Sequence, residues 1–134
     1  MGQYYFTAAS LPLLSLETKP GITVDSFLST CELHMSKSDF NILYNSSIKV
    51  PENEESLAGV AKVCWEWEKS LRNELSKLRA AKMEIPADQY MRTGDIAFGT
   101  HRIALEAIKI ESPLEAEVFL NTERLSFLDS LSVG

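Results

Sequence analysis

The stretch from Glu54 to Lys82 constrains this chain more than any other part of it. Its apolar positions are Leu57, Val60, Cys64, Trp67, Leu71, Leu75 and Leu78. Steps of three and four place them on one face of a helix. Glu54 and Glu55 near the start, and Lys77, Arg79 and Lys82 near the end, suit the helix dipole. Glu68 and Arg72 stand four apart, in the favourable order for an ion pair. No proline interrupts the run, and Gly59 is its one glycine. The pattern predicts a long amphipathic helix, and a chain organised around it is all-α.

The remaining segments agree. Thr23 precedes a helix whose inner positions are Phe27, Leu28, Cys31 and Met35. Ser38 is a cap for a short helix that ends at Asn45-Ser46-Ser47. Ile85-Pro86 and Arg92-Thr93-Gly94 mark loops, and a helix is expected from Ile96 to Ile110. There Ala97, Gly99, Ala104 and Ala107 permit close packing. Ser112-Pro113-Leu114-Glu115 carries a cap, a proline preset for the first turn and a capping box for the last helix. Residues 1–22 hold Tyr4, Tyr5, Phe6, Leu11, Leu13, Leu14 and Leu16 before the Pro20-Gly21 turn. They are apolar enough to be buried, and strand and short helix fit them equally. The length of 134 residues fits one domain over 1–134.

The last helix is apolar on two sides. Leu114, Val118, Leu125 and Leu128 form one stripe; Leu120, Phe127 and Leu131 form another. So broad a surface calls for cover by an earlier segment, by an oligomer partner or by a further C-terminal portion. For the Leu120, Phe127 and Leu131 stripe, a second copy or a missing C-terminal segment is expected.

Charge narrows the partners. The net charge of −6 and pI near 4.9 disfavour phosphate backbones, so no nucleic acid is expected. No apolar run reaches the length of a membrane span, so no direct membrane insertion is expected. Cys31 and Cys64 read as reduced thiols of a cytoplasmic protein.

Several constellations fail as chemistry. Gly94 and Gly99 have phosphate-loop spacing, but Thr100 stands where the lysine belongs. Cys31 and His34 are three apart, and Cys64 and His101 could complete a tetrahedral metal set; zinc sites usually show two tight pairs, and here there is one. The carboxylates of Glu52, Glu54, Glu55, Glu66 and Glu68 read as a solvated helix face. No catalytic, cofactor-binding or metal residues are therefore expected, and no cofactor. The alternative is a small enzyme, in which His34 or His101 converges with carboxylates, or a metal-binding regulator.

A second stripe on the long helix has another character. Trp65, Glu68, Arg72, Ser76 and Arg79 lie about 90° from the apolar stripe. Trp and Arg dominate protein–protein hot spots, so Trp65, Glu68, Arg72 and Arg79 are expected partner contacts. The plainer reading covers Trp65 inside the chain while its neighbouring arginines reach outward.

Four groups of residues carry a resemblance. They are Gln3-Tyr4-Tyr5-Phe6 with Leu11-Pro12; Trp67-Glu68, Leu71-Arg72-Asn73-Glu74-Leu75 and Leu78-Arg79-Ala80; Pro113-Leu114-Glu115-Ala116-Glu117; and Phe127-Leu128-Asp129. Their order resembles that of a bacterial family of unknown function encoded inside V-type ATPase operons. Those operons typically lack an obvious gene for the all-helical funnel that couples the rotor axle to the membrane ring. Ser126 departs from the aromatic pair expected before the Leu-Asp step. Members look longer than this chain, so an N-terminal portion of a longer protein is implied. The resemblance implies a non-enzymatic component of the ATPase that stands in for the funnel. Such a component would contact the ATPase's protein subunits at the periphery of the inner membrane.

Overall fold

The computed structural model describes all residues except 1–3, 13, 16, 47–49 and 133–134. The described residues form six α-helices and two short 3-10 turns, with no strand among them. The fold is all-α, and the chain divides into two compact units, 1–58 and 59–134.

In the first unit, α1 is Tyr5–Ala9, α2 is Val24–His34 and α3 is Lys37–Asn45. The open choice over the N-terminal segment falls to a single short helix; Gln3, Leu13 and Leu16 lie outside the described residues. Thr23 caps α2, its hydroxyl accepting from the Ser26 amide. Of the expected inner positions, Cys31 is buried and Phe27, Leu28 and Met35 are partly buried. Ser36, not Ser38, caps α3: the Asp39 amide donates to Ser36 Oγ at 3.2 Å. Tyr4 joins this end of the helix. Its hydroxyl donates to Asp39 Oδ2 and accepts from the Ser36 amide at 3.4 Å. The N-terminal segment is less covered than its composition suggests, since Tyr5, Leu11 and Leu14 are exposed. Ser47 of the expected turn lies outside the described residues.

The long helix begins later than the apolar pattern implies. Asn53 caps a separate 3-10 turn at Glu54–Ser56, accepting from the Glu55 amide at 3.0 Å. Leu57 is then extended, and α4 runs Gly59–Met83. Leu57 is thus not part of the stripe, and Val60 in the first turn is exposed. The stripe is buried from Trp67 to Leu75. Trp67, Leu71 and Leu75 meet Ile103, Ala104 and Ala107 of α5 (Thr100–Ile108) and Leu120 of α6 (Pro113–Ser132) in one core. Ala104 and Ala107 are fully covered, as the small residues of α5 allow.

Residues 96–99 are not helical, and a ring of hydrogen bonds explains why. Ser70 Oγ accepts from the Ala97 amide at 2.8 Å. Thr100 Oγ1 donates to the Ala97 carbonyl at 2.9 Å, so in the 2.8 Å contact between the two hydroxyls Ser70 is the donor. The ring satisfies both buried hydroxyls and both backbone groups of Ala97. Gly99, at φ +84°, makes the turn into α5 that an L side chain would strain. Asn73 holds the preceding loop in the same way, pairing with both the N–H and C=O of Arg92 at 2.9 and 2.8 Å.

The end of α4 is a Schellman motif. Ile85 N–H donates to the Ala80 carbonyl and Glu84 N–H to that of Ala81, ahead of Pro86. Glu84 occupies the left-handed position, at φ 58°, where glycine is favoured. Glu84→Gly relieves about 1–2 kcal/mol of backbone strain and adds a smaller unfolded-state entropy cost. A net stabilisation of about 0.5–1 kcal/mol is expected, measurable as a raised urea midpoint with unchanged slope.

Candidate functional site

The stripe of Trp65, Glu68, Arg72 and Arg79 is brought together only in part. Trp65 is 5% exposed, and its indole N–H has no hydrogen-bond partner among the described residues. Arg72 lies over the Trp65 ring, 5.8 Å from its centroid. Arg79 is exposed and Ser76 half-buried. Trp65 is thus covered inside the chain, Arg72 turns back onto Glu68 and the indole, and of the two arginines Arg79 is the exposed one. Trp65→Ala is therefore expected to cost about 3–5 kcal/mol, seen as a large fall in thermal midpoint.

Glu68 is buried and anchors α6. Arg124 grips it side-on, Nε to Oε1 at 2.8 Å and Nη2 to Oε2 at 2.9 Å, and Arg72 Nε adds a third bond at 2.8 Å. Burial pushes the Glu68 carboxyl up, but the hydrogen bonds and charges of Arg124 and Arg72 outweigh it. The net effect holds it below its ordinary value of 4.5. Sequence spacing pairs Glu68 with Arg72 and misses Arg124, the single cation of α6. Glu74 is a parallel case on α4. Burial raises it, while His101 at 2.8 Å and Lys77 at 3.0 Å lower it further than burial lifts it.

Both carboxylates stabilise the fold in their charged form. That contribution is present above pH 4.5, the ordinary carboxyl value, and is lost as pH falls through the depressed native values. Glu68→Gln is expected to destabilise by about 3 kcal/mol at pH 7, since it removes the buried, side-on counter-charge of Arg124. The gap from the parent protein shrinks when urea unfolding is repeated at pH 3.

The histidines and cysteines are dispersed. His34 is exposed at the end of α2; burial raises the thiols of Cys31 and Cys64 above their ordinary value. His101 does meet a carboxylate, Glu74, in a tie between α4 and α5. Among the described residues no three His, Cys, Asp or Glu side chains converge as a metal-ligand set. No described helix is long and apolar enough to cross a membrane.

An apolar groove of about 570 Å³ opens elsewhere on the second unit. Val63 and Trp67 of α4, Ala97 and Phe98 of the loop, and Phe127 of α6 line it, with Lys62, Glu66 and Ser130 also in its wall. Trp67 and Phe127 stack at 4.6 Å with an 11° interplanar angle. Phe98 is fully exposed, because the Ser70–Thr100 ring pins Ala97 on one side of it and Gly99 turns the chain on the other. Apolar periodicity does not separate Phe98 from the helix expected there. The glycines Gly94 and Gly99 flanking Ile96-Ala97-Phe98 are the one signal. The groove suits an inserted apolar side chain.

No protein-family model, curated protein or solved structure matches this chain.

Proposed function

We propose that this chain is a non-enzymatic, all-helical interaction component that assembles with a V-type ATPase, in the role of the funnel between rotor axle and membrane ring. One observation carries the interaction half of this reading: the groove in which Phe98 stands fully exposed beside the stacked Trp67–Phe127 pair. An aromatic held out into water by a satisfied hydrogen-bond ring is a costly surface for an isolated protein and a normal one for a docking site. The ATPase half is supported by the ordered motifs of Tyr4-Tyr5, Trp67-Glu68, Leu71–Leu75, Pro113–Glu117 and Phe127–Asp129. On this reading the protein is cytoplasmic and peripheral to the inner membrane. Arg79, exposed on α4, and Arg72, half-buried over Trp65, would add polar contacts away from the groove.

Affinity purification from the native host, followed by mass spectrometry, tests the proposal. V-type ATPase subunits are expected in near-stoichiometric amount. Phe98→Ser should lower their recovery by about tenfold while circular dichroism and thermal midpoint stay unchanged. A protein recovered without ATPase subunits overturns the reading.

A further inference from the structure

The outer face of α6 remains uncovered. Leu114, Val118, Leu125 and Leu128 are 75%, 55%, 43% and 46% exposed. This corrects the expectation about external cover. Leu120 is 1% exposed and lies in the core, and Phe127 stacks on Trp67, so the chain itself covers these two, while Leu131 stays 37% exposed. The face left open is the neighbouring one.

Its spacing is regular. Positions 114, 118, 121, 125 and 128 step by four and three, the seam of a two-helix coiled pair, with Asn121 at the central place. The stripe spans about 21 Å at 1.5 Å per residue. Carboxylates border it. Glu115 and Asp129 lie to one side and Glu117 to the other, all exposed. The one cation of α6, Arg124, is engaged by Glu68 and further contacts Asn121 and, at 3.8 Å, Glu117. A second copy of this chain would set these acids against one another across the seam.

We propose that the outer face of α6 docks a basic amphipathic helix of a partner protein. Its apolar stripe would cover Leu114, Val118, Leu125 and Leu128, and flanking Lys or Arg would meet Glu115, Glu117 and Asp129. The inference rests on the reading of this chain as an interaction component, and it does not depend on the partner belonging to an ATPase.

The test uses three designed helical peptides of about 18 residues with the full chain. One has leucine at seam positions and Lys/Arg flanks, one has the same seam with Glu flanks, and one is a scramble of the basic peptide. Fluorescence anisotropy should give micromolar binding for the basic peptide, weakening as salt rises. The other two should bind at least about tenfold more weakly. Leu125→Gln with Leu128→Gln should weaken the basic peptide by a similar factor, and Glu115→Gln with Glu117→Gln should flatten its salt dependence. Equal binding of the scramble, or no effect of the leucine changes, overturns the proposal. Self-association of the chain in sedimentation, abolished by the same leucine changes, also overturns it by giving the face to a second copy. Failure here with intact ATPase co-purification removes this face alone; peptide binding without co-purification removes only the ATPase reading.

Discussion

The second unit depends on a closed ring of three hydrogen bonds among Ser70, Ala97 and Thr100. A hydroxyl buried without a partner costs about 1–3 kcal/mol, so two buried hydroxyls are tolerated only because each donates and accepts within the ring. The ring fixes where α5 begins. It thereby sets the depth at which Ala104 and Ala107 press on Leu71 and Leu75. It also leaves Phe98 outside, at the lip of the groove.

α4 serves two opposite purposes with one helix. Its apolar row gathers α5 and α6 into the core. Its polar residues Ser70, Asn73 and Glu74 are also buried, because they bind the loop and helix start that follow. A polar residue is retained in such a place when its hydrogen bonds are met locally, and here they are. Glu68 extends the same logic to α6. Its side-on pair with Arg124 sets the rotation of that helix, turning Leu120 inward and Leu114, Val118 and Leu125 outward. The groove and the exposed outer face of α6 both follow from these polar ties.

Three departures from the sequence pattern share a cause. α4 starts at Gly59 because Asn53 caps its own short turn, α3 starts from Ser36 because that hydroxyl reaches the Asp39 amide, and α5 starts at Thr100 because Ser70 holds Ala97. Periodicity reports which face of a helix is apolar but not where a side chain captures a backbone group. Helix ends are therefore the least legible feature of a single sequence.

The sequence alone determined the all-α class, the long helix, the start of α2 after Thr23 and the start of α6 at Ser112, because each follows from local spacing or from a residue bonding within one turn. It also showed that the last helix is apolar on two sides. Only the tertiary structure decided which side is covered, that Trp65 is interior, that Arg124 is the main partner of Glu68, and that Phe98 is exposed. Each of these joins residues distant in the chain. Arg124 and Glu68, 56 positions apart, have no signature in spacing. Long-range pairing is fixed by the packing of three helices around Leu71, and no local periodicity records it.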